Sequence, residues 1–263
     1  MTSLTGQVVL VAGGAGALGA AVSEAIVAEG GRVVVCDRNG DAALLLSERL
    51  GPAATAATMD VVQPPQWRAL VEDCRQRFGR VDGLVNCAGS TSVHRLEDLD
   101  QHTLSSQTEQ SYFGVLYGMQ SVFPLLRDSG GGSIVNIGSI SARFAVGFNA
   151  AYAAAQAAVE ALSRCAAVEW AAYGIRVNTI EAGTFDTPMT SGGAYAQLGN
   201  IRERVAAAVP LQRPGDPSEL AAAVVFLLSP GSAFCTGSTL TLDGGQNAGR
   251  LRVLSAPVEA RTG

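Results

Sequence analysis

At 263 residues, with a formal net charge of -5, 48% hydrophobic and 16% charged residues, the chain can bury a sizeable core and has a globular composition. The lack of any basic stripe argues against a nucleic-acid partner, and no apolar run reaches membrane-spanning length. The opening "MTSLTGQVVLVAGG" has neither the basic flank nor the cleavage signal of a leader, so a cytoplasmic location is expected.

Short β-branched runs alternate with longer helical patterns. The expected strands are 7–12 (QVVLVA), 32–37 (RVVVCD), 54–60 (ATAATMD), 81–86 (VDGLVN), 132–139 (GSIVNIGS), 175–180 (IRVNTI) and 238–244 (STLTLDG). Amphipathic segments near 17–29, 41–50, 64–78, 99–127, 149–173 and 216–229 fall between them or beside them. Continuous apolar strands separated by helices predict an α/β fold. The expected architecture is a single Rossmann-type domain over 1–246, a doubly wound parallel sheet of about seven strands with helices on both faces. Residues 247–263 read as a C-terminal extension, and 185–215 as a flexible insertion after the sixth strand. Cys36, Cys74, Cys87, Cys165 and Cys235 are widely spaced, with no CxxC pair and no histidine nearby; free buried thiols are expected, and no metal.

The first strand runs into "AGGAGALGAAV", where Gly14, Gly16 and Gly19 form G-x-G-x-x-G. Glycines at a strand-to-helix junction allow a tight turn and close backbone approach, so the helix N-terminus can face a pyrophosphate. The second strand ends in Asp37, at the distance where a carboxylate takes the adenosine ribose hydroxyls. Asp37 favours NAD, because its charge repels the extra phosphate of NADP. The adjacent Arg38, which could pair with that phosphate, keeps NADP as the alternative.

With these residues in place, the chain resembles the short-chain dehydrogenases/reductases over roughly residues 4–246. The family's TGxxxGxG is matched by "AGGAGALG" at 12–19, where Gly13 and Gly19 agree and Ala12 and Ala17 depart. "MDV" places Asp60 and Val61 where the family meets the adenine ring, and "NCAG" (Asn86, Ala88, Gly89) is similar to its NNAG. "IVNIGS" puts Ser139 at the catalytic serine, and Tyr152 follows thirteen residues on, at the catalytic tyrosine. "EAGTFDTPM" resembles the stretch beside the nicotinamide, with Ala182 replacing proline, Gly183 kept, and Thr187 matching the carboxamide contact. The resemblance therefore implies a cofactor set of Gly13, Gly16, Leu18, Gly19, Asp37, Arg38, Asp60, Val61, Asn86, Ala88, Gly89, Tyr152, Gln156, Gly183 and Thr187.

Two departures touch the chemistry. The family lysine four residues after the tyrosine is Gln156, and the asparagine of its "NxxG" position is Ser111 in "SYFG". In the family, Ser139 would hold the substrate oxygen and Tyr152 would exchange its proton, while the lysine holds the ribose, lowers the tyrosine pKa and joins the asparagine in a proton relay. A neutral glutamine keeps the hydrogen bonds to ribose but removes the charge. The expected catalytic set is Ser139, Tyr152, Gln156 and Ser111, the last also readable as a tolerated small polar residue.

Three readings follow: an NAD(P)-dependent oxidoreductase on a hydroxyl/carbonyl pair, a redox-neutral enzyme on the same scaffold, and a silent nucleotide-binding subunit. The retained Ser139, Tyr152, Asp37 and Asp60 put the first ahead. Phe148, Met189 and Tyr195 offer an apolar wall for a small cyclic or apolar substrate, or simple packing; His94 rims the pocket or lies on the surface. Glu181 is either a replacement acid/base or a strand-end carboxylate facing solvent. The resemblance also implies a homodimer or homotetramer paired through the two long helices.

Overall fold

The computed structural model describes residues 3–91, 93–192 and 200–249. Seven parallel strands form one sheet: β1 (Val8–Ala12), β2 (Arg32–Asp37), β3 (Ala54–Thr58), β4 (Gly83–Asn86), β5 (Gly132–Ser139), β6 (Ile175–Ala182) and β7 (Thr239–Leu242). Their spatial order is β3-β2-β1-β4-β5-β6-β7, so the chain builds outward from β1 in one direction and then reverses at β4.

The sheet is covered on both faces, and β1 shows why its sequence is apolar throughout. Val8, Leu10 and Ala12 face one layer with Val34, Leu84 and Ile134, under Trp67, Met119, Val122 and Val159. Val9 and Val11 face the other with Val33, Val35 and Val135, under Val22, Ile26, Leu220 and Val224. Period-two alternation thus sends successive side chains into two separate cores, and no position in the strand is left for a polar residue.

The first layer is made by α3 (Pro64–Phe78), α5 (Gly114–Asp128) and α6 (Ala150–Trp170), the second by α1 (Ala17–Ala28), α2 (Gly40–Leu50) and α9 (Pro217–Leu228). Trp67 is fully buried, and its indole N–H donates to the Val61 carbonyl at 2.9 Å, which settles its one polar atom.

Two expectations need correction. The helix expected over 99–127 is divided into α4 (Gln101–Thr108), a π-helical turn (Glu109–Phe113) and α5. The extra residue in a π turn shifts the register of the faces on either side. It brings Gly114 onto Val61, where a Cβ would lie 2.8 Å from Val61 Cγ2. The stretch 185–215 also holds two helices, α7 (Pro188–Ser191) and α8 (Ile201–Ala208), each too short to give a readable helical period. Among the described residues no helix is long and apolar enough to cross a membrane.

Candidate active site

Where β1 and β4 end side by side the chain leaves in opposite directions, and a cleft of about 470 Å³ opens beyond their carboxyl ends. Gly13 has φ +72°, and a Cβ there would stand 2.6 Å from the Ala88 nitrogen; a Cβ on Gly19 would collide with the Gly13 carbonyl. The glycines therefore let the first turn, the start of α1 and the loop after β4 close on one another. Gly14 belongs to this packing, its N–H donating to the Cys36 carbonyl at 3.0 Å, while Gly13, Gly16, Leu18 and Gly19 line the cleft.

Asp37, Arg38, Asp60, Val61, Ala88, Gly89 and Thr187 complete the expected wall. The Asp37 carboxylate is fixed in place: Oδ2 accepts from the Ala15 N–H at 3.1 Å and Oδ1 from the Asn39 N–H at 3.0 Å. Asn86 alone of the expected cofactor residues lies in neither this cleft nor the next. It is buried in the sheet and donates from Nδ2 to Asn136 Oδ1 at 2.7 Å, so its role here is to tie β4 to β5.

A second cavity, of about 280 Å³, shares Leu18, Cys87, Ala88, Gly89, Thr187 and Met189 with the first. Ser139, Tyr152, Gln156 and Gly183 line it. Ser139 ends β5 and caps a 3-10 turn (Ile140–Ala142), its Oγ accepting the Ser141 N–H at 3.2 Å. Tyr152 and Gln156, four residues apart on α6, share one helical face.

The buried face of α6 carries three polar side chains. Ser163 bonds to Asn136 at 2.9 Å, and Glu160 meets Arg143, Arg164 and Thr239. Gln156 differs, because its Oε1 is buried with no hydrogen-bond partner. Buried acceptors are rarely left unpaired, so such an atom on a cavity wall is a place for a ligand donor. A ribose hydroxyl would satisfy it, and together with the fixed Asp37 carboxylate and the glycine-lined turn it makes a donor and acceptor set that fits a nicotinamide dinucleotide.

Arg143, just beyond the 3-10 turn, joins three elements. Its guanidinium bonds Glu160 on α6 and faces Glu181 Oε1 on β6 at 3.1 Å, while Thr241 on β7 donates to Glu181 Oε2 at 2.9 Å. Glu181 is 1% exposed, which corrects the sequence reading: it neither faces solvent nor lines the cavity. The hydrogen bond from Arg143, with help from Thr239 and Arg164, holds the Glu160 carboxyl below the usual carboxylate range. Arg143→Met is expected to cost about 2–3 kcal/mol at pH 7, since two buried carboxylates lose a half-exposed cation. A group with a lowered folded pKa stabilises above its unfolded pKa and loses that contribution as pH falls through the folded one. The stability gap to wild type, measured by urea unfolding, should therefore narrow below about pH 4.5; a constant gap down to pH 3 contradicts this.

Ser111 is buried in the π turn and reaches neither cavity. Gln107, one turn earlier and absent from the expected set, donates from Nε2 to Ser111 Oγ at 3.0 Å and to the Ser90 carbonyl at 2.5 Å. It thereby anchors the loop that follows Ala88 and Gly89. Its i, i+4 spacing from Ser111 was the only available sequence signal.

Phe148 is exposed, with φ +68°, and does not line the cavity; Met189 does, and Tyr195 lies outside the described residues. His94 is exposed, its backbone N–H donating to the Phe148 carbonyl. Asn149, Arg204 and Gln246 line the cavity without having been expected. Cys36 and Cys74 are buried as expected, but Cys87 and Cys235 are only half-buried and Cys165 is exposed on the outer side of α6. Among the described residues no cluster could hold a metal.

Comparison with known proteins decides the family. The family model described as Enoyl-(Acyl carrier protein) reductase matches residues 5–247. Trans-4-hydroxycyclohexanecarboxylate dehydrogenase of Sinomonas cyclohexanicum is 33% identical, over 92% of this chain and 93% of its own. The chain is a short-chain dehydrogenase/reductase. This dehydrogenase/reductase is also 35% identical to 3-alpha-(or 20-beta)-hydroxysteroid dehydrogenase of Mycobacterium bovis, over 94% of this chain and 91% of the other. A crystal structure of gluconate 5-dehydrogenase from Burkholderia cenocepacia, in complex with NADP and tartrate, superposes with a TM-score of 0.89 at 30% identity, covering 95% of this chain and 98% of that one. The enzyme is an oxidoreductase using a nicotinamide dinucleotide.

Proposed function

We propose that this enzyme interconverts a hydroxyl and a carbonyl on a small cyclic or apolar substrate, with NAD as its preferred cofactor. The observation that carries the reading is the joining of the two cavities: a dinucleotide held near Asp37 can reach the wall where Ser139, Tyr152 and Gln156 stand together. The names of relatives that act on a hydroxycyclohexanecarboxylate and on a hydroxysteroid support a cyclic substrate.

A bound nicotinamide supplies the hydride donor or acceptor. Tyr152 exchanges a proton with the substrate oxygen, which Ser139 Oγ holds by a hydrogen bond. Gln156 offers its unpaired Oε1 to a ribose hydroxyl and so fixes the cofactor beside Tyr152. Apolar Val146, Phe185, Val205 and Val209 in the wall keep water from the reacting atoms. Exposed Phe113 and Val168, in the π turn and on α6, support pairing of copies through the long helices into a dimer or tetramer.

Fluorescence titration with NADH, followed by cofactor absorbance with a panel of cyclic alcohols and ketones, tests the reading. Absence of dinucleotide binding sinks it. Binding without turnover of any alcohol or ketone would favour a redox-neutral reaction on the same scaffold. The carboxylate of Asp37 should make NADH bind roughly ten- to a hundredfold tighter than NADPH, and Asp37→Asn should reduce that ratio at least tenfold. Equal affinities in the wild type would show that Arg38, which also lines the cleft, outweighs Asp37.

A further inference from the structure

The described wall of the substrate cavity carries one charge. Among its described lining residues there is no carboxylate, and Arg204 on α8 is the only cation. Arg204 also stands apart from most arginines of the chain. Arg49, Arg77, Arg80, Arg143, Arg164 and Arg213 each pair with a carboxylate, and Arg176 donates to backbone carbonyls. Among the described residues Arg204 has no side-chain hydrogen bond and no ion pair, although Val205 and Val209 beside it on the same stretch are buried in the cavity wall.

A guanidinium at the rim of an apolar cavity is a matched receptor for a carboxylate, since its planar fork can donate two parallel hydrogen bonds. The surrounding wall is apolar on the side of Val146, Phe185, Met189, Val205 and Val209, which suits a ring or chain rather than a polyol. We propose that Arg204 reads a carboxylate on the substrate, so that the enzyme acts on apolar hydroxy or oxo monocarboxylates, the carboxylate held at α8 and the reacting carbon at Ser139 and Tyr152. This rests on the oxidoreductase reading for the reaction but not for the recognition itself.

Binding can be measured without chemistry. In the presence of saturating NADH, cyclohexanecarboxylate and cyclohexanecarboxamide are titrated by calorimetry against wild type, Arg204→Leu and Arg204→Lys. The two probes have nearly the same shape and differ in charge. Wild type should bind the carboxylate roughly ten- to a hundredfold tighter than the amide. Arg204→Leu should bring the two within about threefold, and Arg204→Lys should keep part of the preference as a point charge. NADH affinity and thermal midpoint should not change in either variant, because Arg204 is exposed and does not line the dinucleotide cleft. Equal affinities in wild type, no binding of either probe, or a preference that survives Arg204→Leu overturns the proposal. Carboxylate selectivity that depends on Arg204, with no turnover of any hydroxy acid, would support the recognition and count against the redox reading alone.

Discussion

Tyr152→Phe should lower kcat by about 10²–10⁴-fold while leaving NADH affinity within about threefold. In the proposed mechanism the phenol exchanges the proton at the cavity wall that it shares with Ser139, and phenylalanine keeps its ring packing but cannot exchange a proton. A loss of this size corresponds to roughly 3–5.5 kcal/mol of transition-state stabilisation. It should appear in both reaction directions, because oxidation and reduction share one transition state. The measurement is steady-state cofactor absorbance on a substrate found in the alcohol and ketone panel. Retained kcat in Tyr152→Phe would move the acid–base role to another group, and among the described lining residues no carboxylate is available to take it.

Gln156→Lys should change activity in the opposite sense. A cation within a few ångströms lowers a phenol's pKa by about 1–3 units. Restoring the charge should therefore raise kcat in the oxidation direction at pH 7 by roughly 10- to 1000-fold. The site can accept the change, since the glutamine side chain already reaches a cavity wall and its Oε1 has no protein partner to lose. Binding of NADH should alter less than turnover, because both side chains can hydrogen-bond a ribose hydroxyl. An unchanged kcat would show that the wild type tunes Tyr152 by another route, with the positive nicotinamide of NAD+ as the first candidate.

The sheet, its order of elements and the dinucleotide cleft were legible because they rest on local signals. Gly13, Gly19 and Asp37 sit at fixed offsets from strand ends, and the strands themselves are apolar runs between helices. Ser139, Tyr152 and Gln156 were legible through family spacing, and all three meet on one cavity. What the sequence hid depends on contacts between distant segments. Glu181 looked like a strand-end carboxylate facing water, but β6 lies between β5 and β7 and its end is closed by Arg143 and Thr241. Arg143 and Glu160 are seventeen residues apart, with nothing in either segment to mark the pairing. Gln107 was passed over because the segment reads as a continuous helix until the π turn rotates Ser111 inward. Arg204 and Gln246 come from the two segments with the weakest patterns, one in a short helix and one beyond the last strand. The Gln246 Oε1, buried and unpaired on the same cavity, is a further acceptor that no motif announced.

The central claim is that Gln156, standing where the family has a lysine, does not bring the charge that would lower the Tyr152 pKa, so that a lysine there moves the pH range in which Tyr152 works. The direct measurement is kcat for alcohol oxidation against pH, with saturating NAD+ and substrate, in wild type and Gln156→Lys. The account predicts a rate limb that lies about 1–3 pH units lower in Gln156→Lys than in wild type. A wild-type limb already near neutral pH that stays where it is in Gln156→Lys would contradict it.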